Sequence, residues 1–378
     1  MKVVKSYVRE EGETEIFKRI SLDYMKKNMK LAVVQSFSYP MMFLLTGISV
    51  VIVLYVGGVK VINSTLTLGE LTAFIIYLGL LTWPIIAFGW IINLVQRAEA
   101  SMMRLCKVFD SEPEIENTAL TDYKIIDLKG YIEFKNLNFR YSDKLPYVLK
   151  NVDLRIDSGE TIGIIGHTGS GKTTLVNLIS RLFEVTEGQI LIDGIDIKKI
   201  PLEKLRTSIG YIPQETFLFS ETIENNIDYG AANLDKDKII HASKISQIYK
   251  DIDSFPDRFD TILGERGINL SGGQKQRTSI ARAILTNPKI LILDDAFSAV
   301  DTYTEEEILN GLKDVMKNRT TILISHRVST LKNSDKIIVL KDGSIAEAGT
   351  HHSLIQQEGI YADIYFKQLL EEELEKLE

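Results

Sequence analysis

Eight residues between two apolar stretches carry the most chemistry in this chain. They are Gly166-His167-Thr168-Gly169-Ser170-Gly171-Lys172-Thr173, preceded by Thr161 to Ile165 and followed by Thr174-Leu175-Val176-Asn177-Leu178-Ile179. The flanks predict a buried strand turning into a helix. Glycines let backbone N–H groups converge on an anion, and the helix start behind them adds the positive end of its dipole. Lys172 supplies a point charge for terminal phosphates, and the Thr173 hydroxyl a ligand for Mg²⁺. Asp294 closes the apolar run Lys289-Ile290-Leu291-Ile292-Leu293, where a carboxylate is costly unless it serves a cation. Together these three residues predict a Mg²⁺-nucleotide site. A second glycine-rich helix start, Leu270-Ser271-Gly272-Gly273-Gln274, precedes Lys275 to Leu285 and also suits phosphate. For both edges to grip one triphosphate within one domain, that helix would have to fold back onto the loop, so a head-to-tail pair of chains is expected.

The elements that position these residues divide the 378-residue chain into two to three domains by length. Residues 31–59 and 71–96 carry no charged residue, and each run exceeds the roughly 20 apolar residues that cross a bilayer. Lys26, Lys27 and Lys30 precede the first run, and Arg97, Arg104 and Lys107 follow the second. The hairpin therefore has both ends in the cytosol and its short loop outside, in the plasma membrane. Pro40 and Pro84 lie inside the spans, where membrane helices tolerate proline. Residues 1–30 are polar, with apolar positions on one helical face, and 97–112 continue the second helix into water. A linker at 113–129, a soluble domain at 130–370 and an acidic tail at 371–378 complete the expected order. Within the soluble domain, Tyr131 to Tyr141 reads as a strand and Asp193-Gly194 as a hairpin turn. Residues 221–288 read as mostly helical. The runs Lys289 to Asp294 and Thr320 to Ser325 read as central parallel strands with ligand-facing groups at their carboxyl ends. The net charge of −7 gives no hint of nucleic-acid binding. Cys106, the only cysteine, excludes an intrachain disulfide and is expected to pack at a helix end. No cleavable signal stands at Met1. His241, His351 and His352 read as surface histidines, and Trp83 and Trp90 as packing residues.

The order Gly166 to Thr173, Gln214, Leu270 to Gln274, Ile290 to Asp295 and His326 resembles the nucleotide-binding domain of ATP-binding cassette (ABC) transporters. That resemblance implies an α/β P-loop NTPase domain with a helical subdomain, preceded by the last two transmembrane helices of an all-α exporter membrane domain. ATP would be held by Gly166, His167, Thr168, Gly169, Ser170, Gly171, Lys172, Thr173 and Thr174, with Tyr141 stacking on adenine. Thr173, Gln214 and Asp294 would hold Mg²⁺, and Asp295, His326 and Gln214 would serve catalysis. Ser271, Gly272, Gly273 and Gln274 resemble the signature sequence that serves the partner's ATP. Ser298-Ala299-Val300-Asp301 resembles the D-loop, with Asp301 near the nucleotide.

A membrane region placed before the nucleotide domain is similar to exporters. Val3 to Glu11 resembles their second intracellular loop with its coupling helix. The two spans would then be the fifth and sixth, with the first four either lost from a fragment or supplied by another polypeptide. Where efficient family members carry a glutamate as general base, this chain has Asp295. Its side chain is shorter by roughly 1.5 Å, and a misplacement near 1 Å costs ~10²-fold in rate. Asp294 to Asp301, together with Leu81 to Trp90, resembles the weak-site subunit of heterodimeric bacterial multidrug exporters, which implies drug-like or lipid-like amphipathic substrates and a second half-transporter in a lipid bilayer. A homodimeric exporter and a truncated ATP-binding fragment without transport remain as alternatives.

Overall fold

The computed structural model describes residues 2–125, 127–231 and 235–375. It divides into two compact units, Met1–Glu112 and Pro113–Glu378.

The first unit is helical. A short helix, Lys2–Ser6, is followed by a break at Val8, whose φ is 50°, and then by one continuous helix, Glu10–Ile62. A second long helix, Leu68–Phe109, returns antiparallel to it. Thr67 starts the return: its hydroxyl accepts the Glu70 N–H at 3.3 Å, and the Glu70 carboxylate accepts the Thr67 N–H at 2.8 Å. Near the turn the helices approach closely, because Gly57 leaves room for Leu71; a Cβ there would lie 2.4 Å from Leu71 Cδ1. Pro40–Ile62 and Leu68–Phe109 reach mean hydropathies of 2.3 and 2.0 in their most apolar windows, which are 0% and 6% buried. Apolar side chains exposed all round suit lipid or further helices, not water. The hydroxyls of Thr46, Ser49, Thr72 and Thr82 donate to carbonyls four residues back, at 2.7–3.0 Å. They are thereby satisfied without solvent. Cys106 is exposed on the last turns of the second helix, which corrects the expectation that it packs. A pair of helices has too few neighbours to cover both sides of each rod.

The second unit holds two sheets. β1 (Ile132–Phe139), β2 (Leu149–Ile156), β4 (Glu187–Ile192) and β5 (Ile195–Asp196) form an antiparallel sheet in the order β2-β1-β4-β5. Asp193 and Gly194 turn β4 into β5 with φ of 52° and 79°, the left-handed pair that a two-residue hairpin demands. The Asp193 carboxylate also accepts N–H groups of Lys129 and Tyr131 at 2.6 and 3.0 Å. β3 (Thr161–Ile165), β6 (Ile209–Ile212), β7 (Ile290–Asp294), β8 (Thr320–Ile324), β9 (Lys336–Lys341) and β10 (Ser344–Gly349) form the second sheet, in the order β10-β9-β3-β8-β7-β6. Its strands are parallel apart from β10 at one edge. Every residue of β7 and β8 is buried, as continuous apolar runs require when both faces are covered. Helices Ile223–Asp228, Lys236–Ile245, Tyr249–Ser254 and Gly272–Leu285 make a helical region beside this sheet. The segment ahead of β1 is laid against the unit: Asp122 N–H donates to Lys199 O at 2.8 Å, and the Asn117 side chain accepts Leu202 N–H at 2.9 Å. In register, Ile164 pairs with Ile324 and Ile324 with Asp294. The carboxyl ends of β3, β8 and β7 therefore lie side by side, the edge where parallel sheets bind ligands.

Candidate nucleotide site

The loop after β3 turns into helix Lys172–Ile179. At Gly166 a Cβ would sit 2.2 Å from Leu340 O, so the chain can pass there only without a side chain. Gly169, with φ of 83°, faces open space and lines a cleft of about 240 Å³. Val148, Thr168, Gly171, Lys172, Thr173, Thr174, Gln214, Asp295 and His326 line the same cleft. His167 is exposed and contributes its carbonyl; Ser170 is buried, and its hydroxyl lacks a hydrogen-bond partner among the described residues. Lys172 is buried, and its Nζ donates to Gly166 O at 2.8 Å and His167 O at 3.1 Å. Burial pushes the Lys172 ammonium down from its ordinary range, while the charges of Asp295 and Asp294 raise it again.

Asp294, at the end of β7, is wholly buried. Burial pushes its carboxyl up; the Thr173 hydroxyl draws it down, the Asp295 charge adds to the rise, and Lys172 and Tyr211 oppose it. The Tyr211 hydroxyl reaches Asn177 Oδ1 at 2.9 Å and Asp294 Oδ2 at 3.5 Å. Asp294 Oδ1 has no partner among the described residues. An orphaned carboxylate oxygen next to a hydroxyl is an arrangement that a cation completes, so Thr173 and Asp294 fit Mg²⁺, while the Gln214 amide is turned to Asp295. Asp295 is largely buried, with φ of 47°. Its Oδ2 lies 3.2 Å from His326 Nε2 and 3.4 Å from Gln214 Nε2. Three side chains from the ends of β7, β8 and β6 thus meet at one carboxylate oxygen.

Residues 149–298 match the family model described as ABC transporter, and residues 1–85 match the one described as ABC transporter transmembrane region. One chain thus carries an ABC transporter transmembrane match followed by an ABC transporter match. It is 40% identical over 373 residues to a probable multidrug resistance ABC transporter ATP-binding/permease protein of Bacillus subtilis, covering 98% of this chain and 63% of that protein. It is 39% identical over 364 residues to an ATP-dependent lipid A-core flippase of Desulfotalea psychrophila, covering 96% of this chain and 63% of the relative. A solved bacterial Atm1-family ABC exporter with ATP bound matches with a TM-score of 0.89 at 31% identity, over 97% of this chain and 64% of that one. The fold is that of an ABC exporter, and the chain spans a little under two thirds of the length of these relatives.

Not every ABC motif enters the cleft. The Tyr141 hydroxyl lies 2.9 Å from Thr174 Oγ1, and its ring packs edge-on against Phe139 and Phe183 at 4.9 and 5.1 Å. Ser271 caps helix Gly272–Leu285, accepting the Gln274 N–H at 3.2 Å while Gln274 accepts the Ser271 N–H at 3.0 Å. Gln274 also donates to Asp251 Oδ1 at 2.8 Å. None of Ser271, Gly272, Gly273 and Gln274 lines the cleft. Asp301 caps helix Thr302–Met316 by accepting the Thr304 N–H at 2.9 Å, and that bond holds its carboxyl below the usual range.

The signature glycines press on the D-loop. A Cβ at Gly273 would lie 2.8 Å from Ala299 O. Gly273→Ala must displace that backbone and is expected to destabilise the nucleotide-free chain by about 1–3 kcal/mol; an unchanged thermal melt would count against this packing.

Several positioning residues escape a motif reading. Gln276, buried, donates to Ser298 Oγ at 2.8 Å and Asp295 O at 3.4 Å, and accepts the Ala299 N–H at 2.9 Å. Glu305, also buried, holds Arg327 Nη1 and the Thr330 hydroxyl at 2.5 Å each. Only a polar residue on the apolar helix face shared with Ile280 hinted at Gln276. His351, expected at the surface, is instead half-buried, with Nδ1 2.7 Å from the Tyr361 hydroxyl; burial lowers its imidazole.

Proposed function

We propose that this chain is a subunit of an exporter that couples ATP binding and hydrolysis to outward movement of amphipathic compounds, drug-like or lipid-like as the names of its relatives suggest. One observation carries the reading. The cleft has the phosphate loop, Asp295, Gln214 and His326 on its wall, while the capped helix start at Ser271 stands elsewhere in the same unit. A triphosphate seated in the cleft is then covered by the Ser271–Gln274 edge of a second subunit, and this chain's own edge serves the partner's nucleotide. Lys172 and the loop N–H groups grip the phosphates, and Thr173, Asp294 and Gln214 would hold Mg²⁺, which when bound would offset phosphate charge. Asp295, oriented by His326 and Gln214, polarises the attacking water. Closing of the two nucleotide domains moves the membrane helices, and hydrolysis resets them. A hairpin cannot enclose a substrate cavity, so transport requires further membrane helices in the assembly.

The partner is a different chain, and the site described here turns over slowly, because Asp295 stops short of where a glutamate would place its carboxylate. The test is Asp295→Glu in the full chain. Little gain in ATP turnover of the isolated chain, with activity restored when the partner is added, is the expected result. A gain of about 10²-fold in the isolated chain would instead favour a homodimer and overturn the heterodimer.

A further inference from the structure

The described contacts leave the His326 ring one polar neighbour, Asp295. Its placement therefore depends on how its backbone is held. Glu305 fixes the side chains of Arg327 and Thr330, and Ser325 Oγ accepts the Arg327 N–H at 3.0 Å. The peptides on either side of Arg327 are held from the C-terminal helix, Ile360–Glu375. Gln368 Nε2 donates to His326 O at 2.6 Å, and Gln368 Oε1 accepts the Val328 N–H at 2.8 Å. One amide side chain thus clamps both the acceptor and the donor flanking Arg327. We propose that Gln368 is a positioning residue for His326, fixing the imidazole against Asp295 through the backbone of its loop. A side-chain amide suits this task because it offers a donor and an acceptor in one plane. A residue able to make only one of the two bonds would leave the loop free to rotate about the other. The helix Ile360–Glu375 is then part of the site's framework, although none of its residues lines the cleft.

The variant that tests this is Gln368→Met, which keeps length and helix propensity but makes neither bond. The full chain, with ¹³C-labelled histidine and reconstituted in lipid nanodiscs, gives one ring signal per histidine, and His326→Ala identifies that of His326. In Gln368→Met the His326 signal is expected to move. The His351 signal should stay, since His351 packs on Tyr361 and Tyr365 of the same helix and reports whether that helix remains docked. An unmoved His326 signal overturns the proposal. So does movement of both signals together, which marks a general loosening of the helix.

The kinetic arm rests on the ATP-hydrolysing reading of the cleft. Measured with the partner subunit present, turnover at this chain's own site should fall about tenfold at unchanged KM, with no further fall in a His326→Ala background; a full additional loss there overturns the proposal too. If in that assembly the unaltered chain adds no ATP turnover over His326→Ala, the hydrolytic reading of this site fails, and the histidine spectrum alone decides the role of Gln368.

Discussion

Lys172→Met should abolish tight ATP binding, with a loss of about 10²-fold or more in affinity, because one buried ammonium serves both the loop and the ligand. Its bonds to Gly166 O and His167 O span the loop, and its charge faces Asp294 and Asp295. The same change should leave the empty protein folded. Burial lowers the Lys172 pKa below the unfolded value, so protonation is harder in the folded state. The group therefore costs stability at neutral pH, and that cost fades only as the solution becomes alkaline and passes from the folded towards the unfolded pKa. Methionine removes the cost and keeps the packing of the stem. Titration with a fluorescent ATP analogue, paired with a melt of the nucleotide-free chain, separates the two effects. Retained affinity would refute the role of Lys172, whereas a collapsed melt would show that the lysine is needed for folding.

Asp294→Asn should split stability from function in the opposite sense. The Asp294 carboxyl is raised by burial. A raised acid favours the folded state below the unfolded pKa and loses that advantage as pH rises through the folded pKa. At neutral pH, above the ordinary carboxyl range, the buried, half-satisfied acid is therefore a liability in the empty domain. Asparagine should raise the melting temperature of the nucleotide-free chain by about 2–4 °C for each kcal/mol relieved, and should flatten its pH dependence on the acid side. Mg²⁺ should then add little to ATP binding, since the neutral amide offers a cation no charge where the carboxylate with its unpartnered oxygen stood. Melts with and without Mg²⁺ and ATP check both halves; a lower melting temperature in the empty variant would mean that Lys172 already compensates the charge.

The sequence carried some of this in plain view and hid the rest for physical reasons. The loop from Gly166 to Thr173 is legible because each glycine answers a local need, such as the close pass of Leu340 O over Gly166. β7 and β8 are legible because strands buried on both faces must be apolar throughout. The turn at Asp193-Gly194 follows from its dihedral angles alone. By contrast, Gln276, Glu305 and Gln368 act through partners 19 to 42 residues away. An isolated Gln or Glu in a helix looks like any solvated residue until the fold closes. The burial of His351 is hidden for the same cause: its hydroxyl partner, Tyr361, lies on another helix. The partners of Tyr141 were equally hidden, since Phe183 reaches it only after β1 and the phosphate-loop helix are in place.

The unbroken helix from Glu10 to Ile62 has mechanical consequences. At 53 residues it is about 80 Å long, with a charged end and an apolar end in one rod. A tilt of about 5° around its middle would shift each end by about 3–4 Å in opposite directions, taking the length from its rise per residue. Such a rod needs no hinge of its own to trade a push at one end for a swing at the other. Its reach is set by residue count, so insertions or deletions within it would change the stroke in steps of about 1.5 Å in length and 100° in direction.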